Sequence, residues 1–194
     1  AVREAPNGKN FLIEIKEKIG LDVDLISGTE EARLIYLGVL SGMQFSKRPH
    51  LVLDIGGGST ELILGDGQDA RALTSTKIGA VRLQREFIVE EPITPKKCEF
   101  LRSFIRGSME PAIDKVLRRI HENESPVMVA TSGTAIALGT LVASKDNDPQ
   151  SKLQGYKVSK SKLDKVVAEL CLMTPAQRLT VSSLSERRAE IIVP

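Results

Sequence analysis

Three consecutive glycines, Gly56-Gly57-Gly58, lie between two apolar runs, Leu51–Ile55 and Thr60–Leu64. Each glycine loses more backbone entropy on folding than alanine would, so a triplet inside an apparent strand pair is unfavourable unless something needs it. Glycines permit positive φ and leave no Cβ in the way, so consecutive amide N–H groups can curl around an anion such as phosphate. Asp54 near the end of the first run and Glu61 just inside the second set carboxylates on either side of the turn. Carboxylates beside a phosphate cradle repel the ligand unless a cation lies between them, and Mg²⁺ takes one or two carboxylates plus phosphate oxygens. The other available jobs are orienting a water and accepting its proton. The reading without chemistry is a hairpin with a glycine-rich loop and solvated acids.

The rest of the chain reads as alternating helices and strands. Phe11, Leu12, Ile15 and Ile19 recur at helical spacing, which predicts a helix over Asn7–Ile19 ended near Gly20. A short strand is expected at Val23–Ile26. Ser27-Gly28-Thr29-Glu30 has the form of a capping box, with Ser27 accepting from the N3 amide and Glu30 reaching back to the cap. Behind it, Ala32, Ile35, Tyr36, Val39, Leu40 and Met43 form one long apolar stripe. Leu51–Ile55, Thr60–Leu64 and Ala72–Ile78 read as three successive antiparallel strands. Helices are expected at Val81–Ile88 and Pro95–His121, the latter broken near Gly107. Val127–Ala130 reads as a buried strand, followed by a helix over Ile136–Ala143. Lys145–Lys157 reads as an exposed loop. Ser161–Met173 reads as an amphipathic helix, and Ser185–Ile191 as a short charged segment. There is no internal repeat and no low-complexity tract.

Composition removes several function classes. With 194 residues, 41 % hydrophobic and 27 % charged, the chain has the balance of an ordinary globular fold, not of a disordered or disulfide-stapled one. A net charge of +2 is too even to argue for nucleic acid binding. Cys98 and Cys171 stand far apart without metal-ligand spacing, which predicts free thiols in a reducing cytoplasm. No charged residue occurs from Ser125 to Ser144, but Thr, Ser, Ala and Gly dilute the run, so a buried strand, turn and helix is expected in place of a membrane span. The start, Ala1-Val2-Arg3-Glu4-Ala5, has no initiator Met and no apolar h-region, and reads as trimmed rather than secreted.

Further candidates flank the glycine turn. Glu30 is accounted for by the capping box. Glu31 borders the buried face in the first helical turn, where the macrodipole favours its ionised form; it suits a general base toward water, or is a favourable first-turn charge and nothing more. Ser132-Gly133-Thr134 at a strand end opening a helix suits an anion. Arg3 has the planar fork to clamp a phosphate, or is a surface charge. Lys152, Lys157, Lys160, Lys162 and Lys165 form a mildly basic stretch of the kind seen on solvated faces, and His50 and His121 are isolated.

Four segments in order, "ISGTEEARLIYLGV" at 26–39, "LVLDIGGGSTELILG" at 51–65, "IGAVRL" at 78–83 and "ATSGTAIAL" at 130–138, resemble the exopolyphosphatase / guanosine pentaphosphate phosphohydrolase family. The opening "AVREAPNG" and the closing "SERRAEIIVP" are similar to stretches of it as well. The resemblance implies an α/β fold of the ribonuclease-H-like, actin-like ATPase kind: three antiparallel strands followed by alternating helices and strands. It implies that residues 1–45 are the end of a first domain with its crossover helix, and 46–194 a largely complete second domain.

The same resemblance implies the roles of residues. Glu31 matches the family's water-activating glutamate. Asp54 and Glu61 match the carboxylates of the magnesium and water site. Gly56, Gly57, Gly58 and Ser59 match the second phosphate loop, and Arg3 matches the arginine of "VREA". Ser132, Gly133 and Thr134 complete the expected phosphate contacts. The implied activity is Mg²⁺-assisted release of terminal orthophosphate from polyphosphate or guanosine pentaphosphate by a cytoplasmic enzyme. No nucleic acid or membrane partner is expected, and a homodimer is plausible by resemblance. The family's first phosphate loop, D-x-G-[ST]-N-S, does not occur in this sequence, so the chain alone is expected to be inactive or nearly so. An ATP-binding kinase or chaperone of the same superfamily, and a non-catalytic binder of phosphorylated ligands, are the competing readings.

Overall fold

The structure, a computed structural model, describes residues 2–45, 48–88, 90–146, 153–181 and 183–194. A single turn, Val2–Glu4, leads into α1 (Gly8–Ile19) and α2 (Gly28–Gly42). Three strands follow, β1 (His50–Ile55), β2 (Thr60–Gly65) and β3 (Ala70–Thr76), then α3 (Ala80–Phe87) and α4 (Pro95–Leu117). The last part comprises β4 (Val127–Thr131), α5 (Ser132–Lys145), α6 (Lys160–Leu172), α7 (Pro175–Leu179) and α8 (Glu186–Ile191).

The strands form one sheet of order β3-β2-β1-β4. β1 with β2 and β2 with β3 are antiparallel, as expected. β4 lies parallel to β1, so the chain from β3 must cross over through α3 and α4 to reach the far edge. That edge corrects one expectation: the strand at Val127–Ala130 exists but is not buried, with Val127 and Met128 exposed, because β1 pairs it on one side only.

Residue alternation along the strands gives the sheet two different faces. Leu62, Leu64 and Ala72 pack beneath α3 and α4 with Leu83, Leu101, Met109, Ala112 and Val116. Val52 and Ile63 face α2, where Ala32 and Tyr36 of the apolar stripe close on them, with Leu73 and Val129 alongside. Each such aliphatic side chain contributes about 1.5–3 kcal/mol by leaving water, so α2 is held to the sheet by its stripe. A third cluster joins α5, α6 and α8 through Ala137, Leu141, Val166, Leu170 and Ala189.

Several local expectations change. Val23–Ile26 forms no strand; Val23 and Leu25 are exposed and no neighbouring strand pairs with them. The capping box at α2 is half present: Ser27 Oγ accepts from Glu30 N–H at 3.1 Å, but the Glu30 carboxylate turns to Arg33. α4 runs unbroken past Gly107, where a Cβ would meet nothing, because the buried stripe on its other face spans that position. α7, which polar spacing had hidden, opens on a complete capping box between Thr174 and Gln177. Part of the expected loop at Lys145–Lys157, and Lys152 of the basic stretch, lie outside the described residues. Of the other lysines, Lys160 pairs with Asp164 and Lys162 with Asp146. Both cysteines are free thiols. No helix among the described residues is long and apolar enough to cross a membrane.

Candidate active site

The register of the sheet places one polar row across all four strands. Asp54 is the Cα partner of Glu61 on β2 and of Thr131 on β4, and Glu61 is the partner of Ser75 on β3. Directly opposed residues share a face, so Thr131, Asp54, Glu61 and Ser75 line up on the face that α2 covers. Two residues back, the same face carries Val129, Val52, Ile63 and Leu73, the apolar row under the α2 stripe. The polar row sits at the carboxyl ends of the parallel pair β1 and β4, where crevices of α/β sheets open.

α2 delivers its first turn to this row. Gly28 lies so close to β3 that a Cβ there would fall 2.6 Å from Ser75 Oγ and 2.7 Å from Ser75 Cβ. Glu31, in the same turn, accepts a hydrogen bond from Arg3 at 3.0 Å, and Arg3 donates also to Ile26 O at 2.9 Å. Glu61 is buried and accepts from Ser75 Oγ at 2.7 Å. Burial pushes the carboxyl groups of Asp54 and Glu61 above the usual carboxylate range, and the charge of Glu31 adds to both. Hydroxyls oppose this rise: Ser132 at Asp54, and Ser75 then Ser59 at Glu61. Glu31, Asp54 and Glu61 therefore act on one another electrostatically at the sheet end, an excess of negative charge that a cation would relieve.

The glycine turn is shaped by α3. Gly56 O accepts from Ala80 N–H at 2.9 Å, Gly57 O from Arg82 N–H at 3.1 Å, and Gly58 O from Arg82 Nε at 3.3 Å. In a planar trans peptide the N–H points opposite to the preceding carbonyl, so the amides of Gly57, Gly58 and Ser59 all point away from α3. Three amides turned to one side of a tight turn can meet an anion together. None of the three glycines has a left-handed φ, which corrects the expectation that the triplet serves positive φ. Two of its members serve close approach, since a Cβ on Gly56 would lie 3.1 Å from Ser59 O and one on Gly57 3.3 Å from Val81 Cγ2, and Gly79 in turn presses on the loop, its own Cβ position lying 2.5 Å from Gly57 C, Gly57 O and Gly58 N. Over Gly58 a Cβ would meet nothing within 4 Å, so the space beyond the loop is open.

The third candidate segment lies beside the row. Ser132 holds a φ of 68° at the start of α5, and the Ser132 and Thr134 hydroxyls each donate to Ile55 O at 3.4 Å. Arg188 from α8 donates to Thr134 Oγ1 at 2.9 Å and fills the space over Gly133. The expected residues Arg3, Glu31, Asp54, Gly56, Gly57, Gly58, Ser59, Glu61, Ser132, Gly133 and Thr134 thus gather at one end of one sheet. Gly28, Ser75, Gly79, Arg82 and Arg188 join them without having been singled out. Gly79, Arg82 and Arg188 fall inside the segments "IGAVRL" and "SERRAEIIVP", while the Ser75 position follows only from strand register.

No group of three or more His, Cys, Asp or Glu poised for a metal occurs among the described residues. A half-buried Asp54 and a buried Glu61 beside an amide cradle nonetheless fit Mg²⁺, which keeps several waters and takes one or two carboxylates plus phosphate oxygens. His50 is buried against Phe45, 3.8 Å between ring centroids, and stands at the far end of β1 from Asp54.

Comparison with known proteins gives a consistent picture. The profile of the Ppx/GppA phosphatase family matches residues 1–194. A guanosine-5'-triphosphate,3'-diphosphate pyrophosphatase of Photobacterium profundum is 36% identical over 148 residues, 76% of this chain and 29% of that protein. Exopolyphosphatase 1 of Mycobacterium leprae is 29% identical over 195 residues, covering 100% of this chain and 56% of that one. The crystal structure of an exopolyphosphatase from Cytophaga hutchinsonii superposes with a TM-score of 0.86 at 25% identity, over 99% of this chain and 61% of the other. An Aquifex aeolicus member of the Ppx/GppA protein family gives 0.80 at 25% identity, over 99% and 60%. The chain spans between about a third and three-fifths of the length of these relatives.

Proposed function

The chain belongs to the Ppx/GppA phosphatase family, and from that premise we propose that the protein releases terminal orthophosphate from inorganic polyphosphate by attack of water on the last phosphoryl group. The observation that carries this is the polar row: the half-buried Asp54 and the buried Glu61 opposite one another on β1 and β2, flanked by an outward-facing amide cradle and by Glu31. The names of the Mycobacterium leprae and Cytophaga hutchinsonii relatives support polyphosphate as the substrate class. Guanosine pentaphosphate is the second reading, favoured by the name of the Photobacterium profundum relative. Both substrates present the same terminal phosphoanhydride.

In this reading the amides of Gly57, Gly58 and Ser59 hold the non-bridging oxygens of the terminal phosphate, and Arg3 offers its planar fork from across the turn. Asp54 and Glu61 would hold Mg²⁺, which supplies charge neutralisation on the phosphoryl oxygens. Glu31 accepts a proton from the attacking water; the water oxygen bonds to phosphorus, and the bond to the bridging oxygen breaks. The bridging oxygen leaves on the shortened chain. The Arg3 to Glu31 ion pair holds the Glu31 carboxylate in place until substrate draws Arg3 to its phosphate. Little covalent chemistry falls to the protein, so positioning and charge do most of the work. A cytoplasmic setting, suited to two free thiols, and a homodimer belong to the same proposal.

The test is phosphate release by the full-length protein in Mg²⁺ from polyphosphate, guanosine pentaphosphate and ATP in parallel. Release from polyphosphate above the other two is the expected result. Tight ATP binding without release from either of the others would move the assignment to a kinase-like or chaperone-like member of the superfamily.

A further inference from the structure

We propose that Ser75 is a positioning residue that orients Glu61 toward the cation, and that Gly28 is the second half of the device. The proposal rests on the reading of Asp54 and Glu61 as cation ligands and adds to it a residue outside the glycine turn. Ser75 stands directly opposite Glu61 in the β2 and β3 ladder, and its Oγ donates to Glu61 Oε1 at 2.7 Å. That bond engages Oε1 from the β3 side and sets which way the carboxylate turns, with the Ser59 hydroxyl acting on the same group. Glu61 is 2 % exposed, so its other surroundings cannot swing the carboxylate freely.

Ser75 in turn has little freedom. Gly28 packs against both its Cβ and its Oγ, and the adjacent Thr74 locks β3 to β2 by donating to Leu62 O at 2.7 Å. Gly28 is the first residue of α2, and Ser27 anchors the same turn by accepting from Glu30 N–H. The contact between Gly28 and Ser75 therefore ties the helix start that carries Glu31 to the strand that carries Glu61. A side chain at position 28 displaces Ser75 before it meets anything else, because its Cβ would lie 2.6 Å from Ser75 Oγ and 2.7 Å from Ser75 Cβ, while Arg3 Nη2 is 3.8 Å away. A hydroxyl that orients a ligating carboxylate acts as an outer-shell partner, and losing such partners costs about 10–100-fold in metal affinity or activity.

Mn²⁺ binding followed by electron paramagnetic resonance on the full-length protein tests this without turnover, with Ser75→Ala, Ser75→Cys, Gly28→Ala and Glu61→Gln compared to the parent. Ser75→Cys keeps the volume and loses the strong donor. The expected result is at least about a tenfold weaker Kd in Ser75→Ala, Ser75→Cys and Gly28→Ala, with metal-free Ser75→Ala and Ser75→Cys still folded by circular dichroism. Parent-like Mn²⁺ binding in Ser75→Ala and Ser75→Cys, with binding lost in Glu61→Gln, overturns the role of Ser75 and leaves the cation site standing. Parent-like binding in Glu61→Gln as well overturns both.

Discussion

Asp54 and Glu61 face each other directly across the antiparallel pair of β1 and β2, both on the side of the sheet that α2 covers. Like charges opposed in a ladder are unfavourable, and here burial adds to the cost. A protein that keeps such a pair has a use for it, and relief by a cation is the use that fits the neighbouring amide cradle.

The pair therefore makes stability depend on pH in an unusual direction. A carboxyl raised in the folded state binds more protons there than in the unfolded chain, so stability falls as pH rises through the window between the two values and stays lowered above it. The carboxylates of Glu4, Glu30, Asp66, Glu124 and Asp146 are held low, so their contributions disappear only at lower pH. Calorimetry without divalent cation should give higher melting temperatures in mild acid than at pH 8. Asp54→Asn and Glu61→Gln should each melt higher than the parent at pH 8, with a flatter pH slope; lower melting in both would contradict the pairing.

Glu31→Gln should leave the fold intact, because Ser27 caps α2 and the stripe beginning at Ala32 holds it to the sheet. Phosphate release should drop by about 10²–10⁴-fold, the usual worth of a general base. Unaltered circular dichroism with normal turnover would remove Glu31 from the mechanism.

Two glycine substitutions should separate packing from ligand space. Gly79→Ala drives a Cβ into Gly57 and Gly58 backbone and should cost about 1–3 kcal/mol in urea unfolding. Gly58→Ala meets no atom in the free protein, so its stability should stay within about 1 kcal/mol of the parent while phosphate release falls. A Gly58→Ala protein of full activity would show that the space over the loop is not the phosphate site.

Arg178 is fully buried and donates to Glu91 at 2.5 Å, while its Nε and Nη1 have no hydrogen-bond partner among the described residues. Removing either partner of a buried pair leaves the other charge uncompensated and costs about 3–5 kcal/mol, whereas replacing both by apolar groups is far milder. Glu91→Leu should therefore unfold at markedly lower urea than the double variant Glu91→Leu, Arg178→Met. Equal midpoints would mean that solvent reaches the pair.

Much of the site was legible because its parts are close in sequence. Gly56-Gly57-Gly58 between apolar runs, with Asp54 and Glu61 flanking, announces a tight turn between two strands with an acid on each side, and Ser27 announces the start of α2. Other parts were not. Val23–Ile26 has strand composition, but a strand needs a partner, and none of the four strands reaches it. The Glu30 side chain had two hydrogen-bonding choices of similar worth, the cap or Arg33 one turn on, and local pattern does not rank them.

The sequence by itself determined the helical stripe of α2, the antiparallel run of β1 to β3, the glycine turn and its acids, since each depends on periodicity or short-range sterics. Only the tertiary structure decided that Ser75 sits on Glu61, that Gly79 presses on the turn, and that Arg188 covers Gly133. Those contacts join residues far apart in the chain. Their partners are chosen by strand register and by how α2, α3 and α8 settle on the sheet, which no local pattern encodes.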